Sequence, residues 1–447
     1  MFSLNFSEEK TMNNSTSNQL LSFISSSTCS FLAVKTASEL LENNGYTKLG
    51  ENEKWELTSG GRYYVTRNQS AIIAFNVPTD ASSLSFMISA SHSDSPCFKV
   101  KHTPETDASG YTKINVEGYG GMLRATWLDR PLSASGRVTY LDGCKVVSKL
   151  IDLKKPLFMI PSVAIHMNRS ANENASYNLA TDMQPITGSS LAKGSFMKLV
   201  SESVGVNESD IIGHEMFLYP VDNGTVWGAK DEFISSPRLD DLQCAYASLR
   251  ALTEAESTGA VALAYVADNE EVGSGTKQGA DSSFLYDTLS RIAACLGADE
   301  NGLKQALASS FMVSADNAHA VHPNHPEYAD GSHRPVMNGG IVIKHAASQT
   351  YTTDAISSAL FTAICKKADV PLQHFVNRSD MRGGSTLGNI SGTHVSINTV
   401  DIGLPQLAMH SSYETAGVKD TDYLISALKM LFTSSISMTA DGEYEVK

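Results

Sequence analysis

A short apolar run that ends in a group of acids is the most informative part of this sequence. Residues 261–266 read Val-Ala-Leu-Ala-Tyr-Val, and Asp268, Glu270 and Glu271 follow directly. A continuously apolar run of this length is typical of a strand that is buried on both faces. Carboxylates are rarely buried unless they are paired or bind a metal ion. The end of this strand therefore predicts a functional site in an α/β fold.

Two further apolar runs end in the same way. Phe86–Ser91 leads into His92 and Asp94, and Phe311–Ala315 leads into Asp316. Imidazole and carboxylate groups are the side chains that bind zinc and related divalent ions. Their presence at three strand ends predicts one metal centre at the edge of a sheet.

The composition indicates an ordinary globular protein with an acidic surface. Its 447 residues suffice for two domains or one large one, and 42% of them are hydrophobic. The formal net charge of −14 argues against nucleic acid and anionic membranes as partners. No apolar stretch approaches the roughly 18 residues that a membrane span needs, and the first residues lack a signal-peptide pattern.

The cysteines point to a reducing compartment. They are scattered along the chain without a Cys-x-x-Cys pair, at Cys29, Cys97, Cys144, Cys244, Cys295 and Cys365. This pattern predicts free thiols in a cytoplasmic protein.

The first segment of the chain, residues 1–97, has an α/β pattern. An amphipathic helix is predicted over 17–44, and strands are predicted over 62–67, 70–76 and 85–91. We expect this segment to be the first part of a catalytic domain.

The second segment, residues 98–234, alternates short strands with turn signals and predicts an inserted, β-rich domain. In the third segment, residues 235–447, the α/β pattern returns and completes the catalytic domain. Its predicted helices lie at 238–257, 283–296, 352–367 and 420–438, and its predicted strands at 261–267, 311–315 and 393–398.

The spacing of the candidate residues suggests distinct roles, each with a structural alternative. On a strand, His92 and Asp94 share one face, so the histidine can bind a metal ion while the carboxylate orients its ring. A surface turn before Pro96 is the alternative. The adjacent Glu270 and Glu271 must diverge, so one can bind metal while the other acts on water as a general base. A solvated acidic turn is the alternative here.

Other candidates have stronger structural alternatives. Asp240 and Asp241 open a predicted helix, where acidic residues also stabilise the helix dipole. His410 precedes Ser411-x-x-Glu414, a capping-box pattern that predicts a loop–helix junction.

Asp316 competes as a ligand with several nearby histidines. The His-Pro-Asn-His-Pro segment over 322–326 predicts a loop stiffened by proline, whereas Asp316 has the same strand-end position as the other candidates. Asp316 is therefore the preferred ligand.

A series of motifs resembles the aspartyl aminopeptidase family, family eighteen of the metallopeptidases, in its bacterial-type branch. The motifs with candidate site residues are His92-Ser-Asp94, Pro237-Arg-Leu-Asp240, Asp268-Asn-Glu-Glu-Val-Gly273, Ser314-Ala-Asp316 and Gln406-Leu-Ala-Met-His410. The remaining motifs are Trp127-Leu-Asp-Arg130, Ile165-His-Met-Asn-Arg169 with Asn172-Glu-Asn174, and Asp380-Met-Arg-Gly-Gly-Ser385. The resemblance extends over residues 85–417.

This resemblance implies a role for each residue of the site. Two divalent metal ions, zinc in the first place and cobalt or manganese otherwise, would be bound by His92, Asp240, Glu271, Asp316 and His410. Asp240 would bridge the ions. Glu270 would be the general base and acid, and Asp94 would orient His92.

The resemblance also implies an architecture and an assembly. We expect a central mixed sheet flanked by helices, of the zinc aminopeptidase/phosphorylase-like type, interrupted by the β-rich domain, which would mediate dimerisation. Dimers would assemble into a tetrahedral dodecamer. His166 would reach the site of a neighbouring subunit, and Lys344 and Tyr351 would contact the substrate.

The implied activity is removal of the N-terminal residue from peptides by water that the metal ions activate. An acidic residue, Asp or Glu, is the preference that the family name implies, and Lys344 is a candidate partner for its carboxylate. The enzymatic alternatives are a related dinuclear aminopeptidase that prefers neutral residues, or a deacylase. A self-assembling protein with a vestigial site is the non-catalytic alternative.

Overall fold

The computed structural model describes the backbone of residues 5–80, 84–173, 175–381 and 383–447, and side chains from residue 16 onward. The helices are α1 Asn5–Ser26, α2 Ser30–Asn43, α3 Ser195–Val204, α4 Leu239–Glu254, α5 Phe284–Cys295, α6 Glu300–Ala308, α7 Ala355–Lys367, α8 Leu387–Ser391 and α9 Asp420–Thr433. No helix within these ranges combines the length and the apolar character that crossing a membrane requires.

The strands of the first half of the chain are β1 Thr47–Leu49, β2 Arg62–Arg67, β3 Ala71–Asn76, β4 Phe86–His92, β5 Cys97–Ala108, β6 Tyr111–Tyr119, β7 Leu132–Asp142, β8 Lys145–Asp152, β9 Ile186–Ser189 and β10 Ile211–Pro220. Those of the second half are β11 Thr225–Trp227, β12 Phe233–Ser236, β13 Val261–Ala267, β14 Phe311–Ala315, β15 Ala318–His319, β16 Ile341–His345, β17 Leu372–Val376, β18 Asn398–Gly403, β19 Pro405–Leu407, β20 Glu414–Gly417, β21 Ile436–Ala440 and β22 Glu443–Val446.

A mixed sheet forms the centre of the molecule. Among the described residues it has nine strands in the order β1-β2-β3-β13-β4-β14-β18-β16-β17. The strands β13, β4, β14 and β18 are parallel, while β3 and β16 run antiparallel to their neighbours β13 and β18. Every residue of β13 is buried, which explains why its sequence is continuously apolar rather than alternating.

Helices cover both faces of this sheet. One hydrophobic core joins the sheet to α1, α2, α4, α7 and α9, and the other joins it to α5, α6 and α8. The predicted α/β class with a central mixed sheet between helices is therefore confirmed.

The β-rich segment forms a separate antiparallel sheet with its own core. Its strands follow the order β8-β7-β10-β5-β6-β9. Phe98, Trp127, Phe196 and Met216 are among the residues buried in its core. The strand β11 pairs instead with β12, which pairs with β20 from the end of the chain. The domain limits 1–97, 98–234 and 235–447 stay predictions.

The predicted helix over 17–44 is wrong as a single element. The structure contains α1 and α2, with a break at residues 27–29. Serine and threonine compete with the helix for main-chain hydrogen bonds, and the stretch 25–30 contains five of them. The Arg238 guanidinium donates to the main-chain oxygens of Ser27 and Ile24 and so satisfies the end of α1.

Two predicted boundaries near the end of the chain are also wrong. A strand is expected over 393–398, but the strand β18 begins only at Asn398. Val395 and Ile397 lie in the loop before it and pack against the core. The helix expected over 420–438 ends at Thr433, and the residues that follow form the hairpin β21–β22.

Candidate metal centre

The three strand ends that the sequence singled out lie side by side. β4 lies between β13 and β14, and all three are parallel, with His92 directly opposite Ala267. The carboxyl ends of parallel strands meet at one edge of a sheet, which is where open α/β sheets place their ligands. The carboxylates that follow β13 and β14 therefore lie next to His92, as predicted.

His92 is buried among carboxylates. Its Nε2 lies 3.7 Å from Oδ1 of Asp240 and 3.8 Å from Oδ1 of Asp316. Its Nδ1 lies 3.0 Å from the main-chain oxygen of Asp94 and 3.4 Å from the carboxylate of the same residue. The ring thus turns Nε2 toward the acids while its other nitrogen is held by Asp94.

Asp240 lies between the two histidines. Its Oδ1 faces His92, and its Oδ2 lies 3.6 Å from Nε2 of His410. The same Nε2 lies 3.5 Å from Oε1 of Glu271. The two oxygens of one carboxylate therefore face two separate groups of potential ligands.

The loop that follows β6 helps to hold His410 in place. Nδ1 of His410 lies 3.0 Å from the main-chain oxygen of Gly121, and Leu123 donates its N–H to the main-chain oxygen of His410. His410 has a φ of +65°. This left-handed conformation costs a residue with a Cβ roughly 1–2 kcal/mol, which the surrounding contacts must offset.

The Asp94 carboxylate organises the turn that contains Glu270. Its two oxygens accept the main-chain N–H groups of Glu270 and Glu271, each at 3.2 Å, and the Tyr119 hydroxyl at 2.6 Å. These bonds hold the main chain at the two adjacent glutamates, from which their side chains diverge.

The pKa shifts indicate an excess of buried negative charge. Burial raises the pKa of Asp240 well above its usual value, and the charges of Asp316 and Glu271 raise it further. Burial likewise raises the pKa of Glu270 to about 7. Burial opposes protonation of His92, but the charge of Asp241 and hydrogen bonds to Asp316 raise its pKa above the ordinary value.

The donor set fits a divalent cation. Oδ1 of Asp240 and Oδ1 of Asp241 are buried and have no hydrogen-bond partner among the described residues. Such atoms are costly unless a cation or water satisfies them. Two groups of three residues bring ligand atoms within 4.8 Å of one another, namely His92, Asp240, Glu271 and His92, Asp241, Asp316.

Glu414 is a central residue of the site that the sequence misassigned. The predicted capping box is wrong, because Glu414 begins the strand β20 rather than lying in a helix. Its Oε1 accepts the N–H of His410 at 2.7 Å, and its Oε2 accepts the N–H of Asp240 at 2.9 Å. One buried carboxylate therefore joins two segments that are distant in sequence.

A cavity opens beside these acids. It contains about 600 Å³ of empty space, and its lining includes Lys344, Tyr351 and Phe375. Nζ of Lys344 is buried, 3.5 Å from Oδ2 of Asp316 and 5.4 Å from the centre of the Tyr351 ring. Although burial lowers the pKa of Lys344, the charge of Asp316 raises it above its ordinary value, so the side chain is a cation.

Asp401 holds two segments that contribute to the cavity lining, at Thr386 and next to Tyr351. Its carboxylate accepts the Thr386 hydroxyl at 2.6 Å and the Thr352 N–H at 2.5 Å. Asp401 was not predicted as a site residue, although an acid within a largely apolar strand is a signal that could have identified it.

His166 lies elsewhere on the surface. It is exposed and is not part of the lining described for the cavity. Within one chain, the structure therefore brings Lys344 and Tyr351 to the centre but leaves His166 outside it.

Comparisons with known proteins identify the family. The family model described as "Aminopeptidase I zinc metalloprotease (M18)" matches residues 23–432. A probable M18 family aminopeptidase 2 of Clostridium novyi (strain NT) is 45% identical over 424 residues, which cover 93% of this chain and 98% of that protein. The chain belongs to the M18 family. It is a metalloaminopeptidase, a hydrolase that acts on peptides, and the resemblance stated from the motifs is confirmed.

Solved structures of M18 relatives share the fold. A chain in the cryo-EM structure of the Ape4 and Nbr1 complex has a TM-score of 0.91 and 34% identity, and the match covers 94% of this chain and 86% of that one. The S. cerevisiae mApe1 dodecamer has a TM-score of 0.80 and 26% identity, with coverage of 93% and 96%.

Proposed function

We propose that this M18 metalloaminopeptidase uses two divalent ions to remove an N-terminal residue, preferably Asp or Glu, from peptides. The observation that carries the proposal is the position of Asp240, whose two carboxylate oxygens face His92 and His410 separately. One carboxylate facing two ligand groups is the arrangement that a bridging ligand requires. The family description favours zinc, and cobalt or manganese would suit the same donors.

The other proposed ligands form two groups, one on each side of the bridging residue Asp240. His92 and Asp316 lie on one side of Asp240, and His410 and Glu271 lie on the other. Bound ions of this type polarise a carbonyl group and lower the pKa of water.

Glu270 is the proposed general base and acid. Its side chain lines the cavity, and its main chain is held by Asp94. In this role it accepts a proton from the attacking water and returns it to the amine that leaves. Asp94 acts indirectly, by holding His92 and by fixing the turn that presents Glu270.

Lys344 is the proposed partner of an acidic substrate side chain. It is a buried cation on the cavity wall, next to Tyr351. We expect Lys344→Met to lower kcat/KM for Asp- and Glu-anilides by roughly 30-fold or more, because removing one partner of a buried charge pair costs about 2 kcal/mol or more. Hydrolysis of a Leu-anilide should change much less.

The ratio of Asp- to Leu-anilide hydrolysis is the decisive measurement for this preference. Lys304→Met is a suitable control, because Lys304 is exposed and pairs with Glu300 on the same helix. Metal content must be measured in both variants, since Lys344 also contacts Asp316. An unchanged ratio in Lys344→Met, or a wild-type enzyme that prefers Leu, would contradict the proposed specificity.

Glu414→Gln should weaken metal binding although Glu414 is not a proposed ligand. A glutamine offers only one oxygen to the two N–H groups of His410 and Asp240, so at least one ligand loses its support. Loss of such support typically lowers metal affinity by roughly 10–100-fold. Competition with a chromogenic chelator measures the affinity. Glu39→Gln, at an exposed ion pair, should bind metal as the wild type does.

We also propose that the protein forms a homo-oligomer. The similarity to the mApe1 dodecamer of S. cerevisiae supports assembly of twelve chains. In this proposal the chains first form dimers, with the β-rich residues 98–234 as the dimerisation domain. His166 is exposed in this domain and would be free to enter the site of a neighbouring chain. The free cysteines support a cytoplasmic location.

A further inference from the structure

Two imidazole rings outside the catalytic cavity face each other on neighbouring strands. Nε2 of His345 lies 3.1 Å from Nδ1 of His374, and the ring centres are 5.3 Å apart. His345 ends β16, and His374 lies in β17. Because β17 pairs with β16 so that Ile343 is opposite His374, His345 projects from the same face two residues further on.

The distance between the two nitrogens matches a chelated metal ion. Imidazole nitrogens bind zinc at about 2.0–2.1 Å, so two of them on one ion are about 2.9 Å apart at a right angle and about 3.4 Å apart at the tetrahedral angle. At 3.1 Å one nitrogen must carry a proton that the other accepts. To bind a metal ion between them, the donor ring moves its proton to its outer nitrogen, so that both inner nitrogens present a lone pair.

The surroundings of His345 favour its neutral form. Burial lowers the pKa of His345, and the neighbouring His374 and His333 lower it further. A histidine must be neutral to bind a metal ion. By contrast, the rings of His325 and His394 already have carboxylate partners, Glu327 and Asp281.

We propose that His345 and His374 form a peripheral site for one divalent transition-metal ion, of which zinc, nickel and copper suit imidazole best. Water would complete the coordination. Lys344 and Phe375 are paired in register and line the catalytic cavity. The histidines that follow Lys344 and precede Phe375 project from the opposite face of the two strands, so the proposed site lies on the far side from the cavity. An ion there would tie β17, the last strand of the main sheet, to β16.

Counting bound zinc tests this site directly. The wild-type protein and its variants are dialysed against the same excess of zinc, and the equivalents per chain are measured by elemental analysis. His374→Gln and His345→Gln should each contain one equivalent less than the wild type. His394→Gln removes an exposed imidazole outside the pair, and we expect it to retain the wild-type number.

The measurement separates this proposal from the catalytic one. The expected result is a difference of one equivalent, whatever the number of ions at the catalytic centre, and anilide hydrolysis by the same variants reports on that centre independently. An equal zinc content in wild type, His345→Gln and His374→Gln would overturn the peripheral site. So would the same loss in His394→Gln, since it would show non-specific binding to surface histidines.

Discussion

Glu270→Gln is expected to lower kcat by roughly 10²–10⁴-fold while the protein retains its metal ions. Glutamine preserves the size and shape of the side chain, and the main-chain bond from residue 270 to Asp94 does not depend on it. What it removes is the ability to accept a proton from water and to return it to the departing amine. KM should change little, because the proposed role concerns the reaction and not the binding of substrate.

The neighbouring glutamate provides a matched comparison. Glu271→Gln should lose metal, because its Oε1 lies 3.5 Å from Nε2 of His410 within the proposed ligand set. Glu256→Gln, at an exposed position, should behave as the wild type in both respects. The measurements are kcat, KM and metal content of all three purified variants. Full activity of Glu270→Gln, with metal content confirmed, would refute the role assigned to it.

Removal of the metal ions is expected to abolish activity completely. Without the ions, the carboxylates of Asp240 and Glu271 would be buried close together, and the buried cation Lys344 lies against a different acid, Asp316. Uncompensated buried charge is strongly unfavourable. We therefore expect the stripped protein to lose thermal stability as well as activity, and to regain both when zinc, cobalt or manganese is added.

The test is dialysis against a strong chelator, followed by measurement of metal content, anilide hydrolysis and Tm. Dialysis against the same chelator already saturated with zinc controls for effects of the chelator itself. Activity that persists in fully stripped protein would rule out metal-dependent catalysis. Recovery of Tm without recovery of activity would show that the ions stabilise the fold but are not sufficient for turnover.

Much of the fold could be predicted because the signals were local. The strands β4, β13 and β14 are fully buried, so each appears in the sequence as an apolar run bounded by polar residues. Strands and helices alternate along much of the chain, which is the pattern of an α/β domain. Predictions failed where the deciding interaction was not local. Val395 and Ile397 have the spacing of a strand but are held in a loop by the core.

The supporting residues of the site could not be predicted in the same way. Glu414 has a capping-box spacing to Ser411, yet its carboxylate binds the main chain of Asp240, 174 positions away. The carbonyl group of Gly121 contacts His410 across 289 positions, and any residue could supply such a carbonyl. Interactions of this kind have no sequence signature, because they depend on how two distant segments are placed in space.

The sequence by itself determined the strand ends and the types of side chain that follow them. Those two facts depend on hydrophobic burial and on the chemistry of carboxylate and imidazole, which act over a few residues. Only the tertiary structure decided that Asp240 faces His92 with one oxygen and His410 with the other, and that His345 meets His374. A distance of a few ångströms between remote residues is set by the packing of the whole domain, and no short stretch of chain contains it.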